Sequence, residues 1–123
     1  MENRRKTGKN YEERAAEYLI GQGFSILCQN FYSRYGEIDL IAKDGEYLVF
    51  VEVKYRKNRV CGSPFEAVNA NKQRRICRTA FYYCYKNGYK GDTPCRFDVV
   101  AILGSCAEEA KIEHIKNAFE FQR

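Results

Sequence analysis

Tryptophan is missing from this 123-residue chain, histidine occurs once, and no two of its cysteines form a Cys-x-x-Cys pair. Each scarcity closes off a chemistry. With His114 alone and scattered thiols, no ligand spacing of the zinc-finger kind exists. An ordinary Ser-His-Asp or Cys-His site is excluded as well, unless His114 itself takes part. No apolar run approaches the roughly 18 residues that a membrane helix needs. The basic Arg4-Arg5-Lys6 cluster has no apolar stretch behind it, so it does not read as a secretory signal. The expected location is therefore cytoplasmic, without membrane attachment. There the cysteines at 28, 61, 77, 84, 95 and 106 are expected to be reduced and mostly buried. Internal repeats, low-complexity segments and long linkers are also lacking.

What is present suits one globular domain over residues 1–123, because 45% hydrophobic and 30% charged residues are ordinary for a folded chain with a single core. The net charge is +5, and the basic residues are clustered: Arg4, Arg5, Lys6 and Lys9, then Lys54, Arg56, Lys57 and Arg59, then Lys72, Arg74, Arg75 and Arg78. Such clusters neutralise phosphates and release counterions, which favours a nucleic-acid partner, although a charge run also serves as a solvated face.

Asn10 followed by Glu13 reads as a capping box opening a helix, with Ala15, Ala16, Leu19 and Ile20 as its apolar stripe and Gly21 and Gly23 as its stop. Strands are expected over Phe24–Tyr32, Gly36–Ala42 and Tyr47–Tyr55, the last two joined by a hairpin at Asp44-Gly45. A polar loop follows from Arg56, then a short helical or turn segment at Pro64–Val68. Asn69 or Asn71 is placed to cap a long helix ending near Lys86, with Gly88 as its stop. A strong strand over Arg96–Leu103 and a short last one over Glu108–Ile115 complete the order αβββαβ(β), a mixed sheet flanked by helices.

The third strand breaks its own pattern. Strand side chains alternate faces, so Leu48, Phe50, Glu52 and Lys54 share one side, which begins apolar and ends with a carboxylate and an ammonium. Charges in so apolar a strand cost several kcal/mol unless they are paired or bind something. On the second strand Glu37, Asp39 and Ile41 share a face, opposite Ile38, Leu40 and Ala42, and the hairpin brings Asp39 near Glu52. Two adjacent carboxylates repel, and a divalent cation relieves them. With Lys54 beside them the set suits phosphodiester cleavage, the metal activating water and the lysine offsetting transition-state charge. An ordinary Glu52–Lys54 salt bridge is the competing reading. Asp98 also interrupts a strand and is expected to pair with an arginine such as Arg96.

An acid on one strand followed by Glu-x-Lys on its hairpin partner resembles the PD-(D/E)xK nuclease pattern, standing here as Glu37-Ile38-Asp39 and Glu52-Val53-Lys54, with Ile38 in place of the proline. The chain also resembles the YraN-like bacterial family nearly throughout. The matching segments are Gly8-x-x-Tyr11-Glu12, Ala15–Leu19, Gly36–Ala42, Val49–Lys54, Gly62-Ser63-Pro64 with Glu66-Ala67-Val68, Arg96–Ala101, Ile112–Ile115 and Asn117–Phe119. That resemblance implies a restriction-endonuclease-like fold related to archaeal Holliday-junction resolvases. It implies a metal site of Asp39, Glu52 and the Val53 carbonyl, joined by Glu12, which otherwise reads as a first-turn acid facing the helix dipole. Lys72 and Gln73 are then candidates to reach the site from the later helix, and a homodimer is implied.

The leading expectation is a Mg²⁺- or Mn²⁺-dependent DNA endonuclease acting on branched or structured DNA. Lys54 would position the attacking hydroxide, and Arg56, Lys57, Arg74, Arg75 and Arg78 would contact phosphates without reading sequence. A non-catalytic nucleic-acid-binding module on the same fold and a protein-interaction domain built on the many tyrosines are the alternatives.

Overall fold

Residues 4–56, 69–104 and 111–120 are described in a computed structural model, with side chains from Tyr11 onward. Their elements run α1 (Arg4–Gly21), β1 (Ser25–Ser33), β2 (Gly36–Asp44), β3 (Tyr47–Arg56), α2 (Ala70–Lys86), β4 (Cys95–Leu103) and β5 (Lys111–Ile115). The αβββαβ(β) order is thus observed with its final strand. Lys57, Arg59, Cys61, Cys106 and the Pro64–Val68 segment lie outside the described residues, as do the side chains of Arg4, Arg5, Lys6 and Lys9.

One start signal was misread. Helix α1 begins at Arg4, so Asn10 sits inside it and opens nothing. Arg4, Arg5 and Lys6 are good helix formers, and a single interior Gly8 costs only about 1 kcal/mol, too little to stop propagation from the apolar segment behind it. The second helix obeys its signals. Asn69 is extended and accepts the Lys72 backbone N–H at 2.9 Å, while Asn87 and Gly88, the latter at φ 75°, end the helix.

The strands form one mixed sheet in the order β1-β2-β3-β4-β5. Neighbours are antiparallel except β3 and β4, which run parallel and are joined through α2. At the β2–β3 hairpin, Asp44 pairs with Tyr47, leaving Gly45-Glu46 as the turn with Gly45 at φ 61°. Glycine in the first central position is what a tight II′ hairpin requires.

Each sheet face is covered by one helix. Tyr11, Ala15, Ala16 and Leu19 of α1 pack on Leu40, Ala42, Val49, Val51, Val100 and Ile102. Ile76, Cys77, Ala80 and Tyr83 of α2 pack on Ile41, Leu48, Phe50, Phe97 and Val99. Burying Phe50 or Phe97 contributes about 1.5–3 kcal/mol each relative to exposure. The four described cysteines are free thiols, but only Cys77 is fully buried.

The expected alternation of β2 fails at one point. Ile38 joins Ile41 in the α2 layer rather than Leu40 and Ala42 in the α1 layer. The β2–β3 ladder also stops there, its last pair being Leu40 with Val51. A ladder continued at that register would pair Val53 with Ile38. Instead the Val53 N–H donates to Asp39 Oδ2 at 2.8 Å, so a side chain satisfies the amide and the two strands are released from each other. Beyond this point β2 pairs only with β1, through Phe31–Ile38 and Tyr32–Glu37, and β3 only with β4.

Candidate active site

The opening between β2 and β3 holds the acidic pair. Asp39 guards the last rung from β2. Glu52, on the face of β3 that continues Leu48 and Phe50, is 8% exposed. Asp39 is itself largely enclosed. Burial, then a hydrogen bond and repulsion from Glu52, push its carboxyl up to about 8, against the opposing pull of the Val53 N–H and Lys72. The Asp39 carboxyl is thereby biased toward its neutral form beside Glu52. On an otherwise apolar sheet this is a costly arrangement, because two like charges are held together away from water.

Two lysines face the pair. Lys72 Nζ from the first turn of α2 lies 3.7 Å from Glu52 Oε2. Lys54, half-buried on β3, has its pKa lowered by burial and by the neighbouring Lys72, with Glu52 and Asp39 partly restoring it. A cleft of about 410 Å³ opens over Glu52, with Tyr35, Glu37, Asn71, Lys72 and Arg75 among its walls. Gly36 at the start of β2 has φ 149°, where an L side chain is strained, and Arg75 and Thr79 of α2 stand 3.9 Å from where a Cβ would lie. A Cβ there would make only ordinary contact, so it is the backbone conformation at the β1–β2 turn that calls for glycine.

Glu12 lies on the α1 side. The Tyr11 ring beside it stacks on Tyr55 at 4.0 Å, fixing this part of α1 on the end of β3. Burial raises the Glu12 carboxyl, as do Asp39 and Glu37, while a hydrogen bond with the Asn30 side chain lowers it. Asn30 sits in β1 at φ 55°, a left-handed conformation that asparagine tolerates. Glu12 thus feels the acidic pair and is bonded elsewhere. Among the described residues no group of three or more His, Cys, Asp and Glu is arranged as a metal cage. The donors brought together are two carboxylates, hard oxygen ligands of the kind Mg²⁺ takes along with water and substrate oxygens. That donor set fits a divalent cation held by Asp39 and Glu52. Val53 meets the site through its N–H, which holds Asp39.

The basic residues divide. Arg74, Arg75 and Arg78 are exposed on α2, whereas Arg56 turns back to donate to the Tyr55 carbonyl at 2.8 Å, and Gln73 is half-buried.

A second polar cluster lies under α1. Asp98, 1% exposed, accepts Arg96 Nε and Nη2 at 2.9 Å each, which is the expected pairing. It also meets His114 Nε2 at 2.8 Å and accepts the Asn117 N–H at 3.0 Å. Burial alone would raise the Asp98 carboxyl, but His114, Arg96 and Asn117 together hold it below the ordinary value. Arg96 reaches on to Asp44 at 2.9 Å, and Tyr18 Oη lies 3.3 Å from His114 Nδ1. Every buried side-chain N or O among the described residues has a partner.

The family profile described as "Uncharacterised protein family UPF0102" matches residues 11–102, the span carrying the acidic pair and, of the second cluster, Tyr18, Asp44, Arg96 and Asp98. The chain belongs to the UPF0102 family. It is 49% identical to a UPF0102 protein of Lachnoclostridium phytofermentans over 118 residues, covering 96% of each chain. A UPF0102 protein of Symbiobacterium thermophilum is 47% identical over 115 residues, 94% of this chain and 97% of its own. One from Alcanivorax borkumensis is 40% identical over 119 residues, 97% and 95% respectively. In this UPF0102 chain the sequence reading missed two partners. Asn30 carried no signal, because its contact with Glu12 joins β1 to α1 and neither residue announces the other in sequence. His114 was considered only as a catalytic base, although its position in a β5 strand next to Asp98 of β4 could have suggested a structural imidazole.

Proposed function

We propose that this UPF0102 protein is a divalent-metal-dependent nuclease of the PD-(D/E)xK kind, hydrolysing phosphodiester bonds in DNA. The observation that carries this reading is the Asp39–Glu52 pair at the parting of β2 and β3, Asp39 held by the Val53 N–H and Glu52 faced by Lys72 at 3.7 Å, with Lys54 beside it. Asp39 and Glu52 would hold Mg²⁺ or Mn²⁺, which when bound supplies charge neutralisation of the phosphate and a lowered pKa for water.

The chain's own groups account for the rest. The Val53 N–H fixes the orientation of Asp39 by holding its Oδ2, which leaves Oδ1 free of that bond. Lys54, whose hold on a proton burial and Lys72 weaken, holds the attacking water and would accept its proton at Nζ as the new P–O bond forms, while the ester P–O bond breaks and the leaving oxygen takes a proton from solvent water. Lys72 offsets charge on the crowded phosphorane. Arg74, Arg75 and Arg78 hold flanking phosphates, which positions the strand without reading bases.

The test is cleavage of labelled four-way-junction, flap and linear DNA in Mg²⁺, Mn²⁺ or EDTA. Wild type should cut only with metal, Glu52→Ala should abolish cutting, and Lys54→Ala should slow it about 10²–10⁴-fold. Cutting that survives both substitutions overturns the assignment. Salt-sensitive binding without any cutting, unchanged in Glu52→Ala, would instead mark a binding module on this fold.

A further inference from the structure

A second groove lies beside the first and has a different chemistry. Its volume is about 390 Å³, and Tyr32, Ser33, Arg34, Tyr35, Tyr82 and Lys86 line it. That volume lies in the roughly 300–1,000 Å³ range of small-ligand sites. Tyr35, at the β1–β2 turn, belongs to both grooves, so a chain leaving the acidic cleft passes directly into this one. Three phenol rings and two cations line the groove without a carboxylate. The nearest acid, Glu37, is engaged by the Tyr32 hydroxyl.

The surroundings repeat the pattern. The exposed stripe of α2 runs from Arg74, Arg75 and Arg78 to Phe81, Tyr82 and Tyr85, and the helix contains no acidic residue. Phe81 is 66% exposed and Tyr85 79%, large apolar surfaces that a monomer normally covers. Cations already sit over the Tyr35 ring, Arg34 at 5.0 Å and Arg78 at 6.0 Å from its centroid.

Rings interleaved with cations are what a nucleic-acid strand with unstacked bases requires, because bases stack on the phenols while phosphates meet the arginines. A duplex offers its phosphates but keeps its bases stacked on one another, so it can use only the cations. We infer that the Tyr32–Tyr35–Tyr82 groove binds unpaired nucleotides continuous with the strand in the acidic cleft, so that the substrate is nucleic acid with a single-stranded segment next to the scissile phosphate. This inference rests on reading the neighbouring cleft as a nucleic-acid site.

The experiment is fluorescence anisotropy in EDTA, where cleavage plays no part. The probes are a labelled oligodeoxythymidylate of about twenty nucleotides and a blunt duplex of equal length. Wild type should prefer the single strand. Tyr82→Ala should weaken single-strand binding about 5- to 100-fold and leave duplex binding within about two-fold, while Tyr82→Phe, which keeps the ring, should retain the preference. Equal affinity for both probes, or an equal loss on both, overturns the inference. So does unchanged binding in Tyr82→Ala accompanied by a shift from dimer to monomer in sedimentation, which would make the groove a self-association surface. The two readings fail separately. A tyrosine-dependent preference in a protein that never cuts removes the nuclease and keeps the groove, whereas metal-dependent cutting without the preference does the reverse.

Discussion

Asp39 answers two demands at once. Its carboxylate must cap the Val53 amide where the ladder ends, and it must sit against Glu52 in a poorly solvated place. In metal-free protein the second demand appears as proton uptake. The folded value near 8 exceeds the ordinary aspartate value of 3.8, so between these limits the native state holds a proton that the unfolded state has released. The contribution of Asp39 to stability therefore falls as pH rises from about 4 to 8 and levels off beyond. Asp39→Asn cannot ionise and should flatten that part of the profile of Tm against pH in EDTA. A variant with the same downward slope as wild type would place the titrating group elsewhere. Asp98 shows the opposite case although it is 1% exposed, because Arg96, His114 and a backbone amide keep the charged form favourable. Sequence reasoning identified both carboxylates as anomalies because each interrupts an apolar strand. It supplied Arg96, two positions along the same face, but not His114, whose proximity depends on the β4–β5 register pairing it with Val100.

At the scale of elements, legibility followed how local the signal was. The β2–β3 hairpin was readable because one glycine determines the turn, and α2 because Asn69 begins it and Asn87-Gly88 ends it. Where an outcome depended on what lay across the sheet, the reading failed. Ile38 changes layers because a side chain displaces a ladder bond, and nothing in the residues 36–42 shows that. The α1 start was missed for a different reason, since a plausible cap had no competing stop before it. Asn69 also has a role beyond propensity, because the N–H it accepts belongs to Lys72, the residue whose ammonium faces Glu52. Asn69→Ala should cost about 1 kcal/mol, read as a lower urea midpoint at unchanged slope, and Asn69→Asp should restore most of it. If Asn69→Ala leaves the midpoint where it was, the cap contributes nothing to α2.

For the whole molecule, the candidate site is assembled from contacts of very different range in sequence. A two-residue turn brings Asp39 and Glu52 together, whereas the parallel β3–β4 pairing waits for a crossover that includes α2, the same helix that delivers Lys72. Hairpins close in about 1–10 µs, and parallel pairing across a long connection is much slower. The order of assembly is then fixed by topology. During refolding the two acids meet first, with Lys54 beside them on the strand but before Lys72 arrives. The repulsion becomes an obstacle at the earliest committed step. Asp39→Asn should accordingly speed refolding at pH above about 8 and leave the unfolding limb of a stopped-flow chevron nearly unchanged. A change confined to the unfolding limb would mean that the hairpin closes after the barrier. A site that stores unfavourable charge thus slows the chain's route to the fold as well as destabilising its end point, and a divalent cation present during refolding should shorten that route.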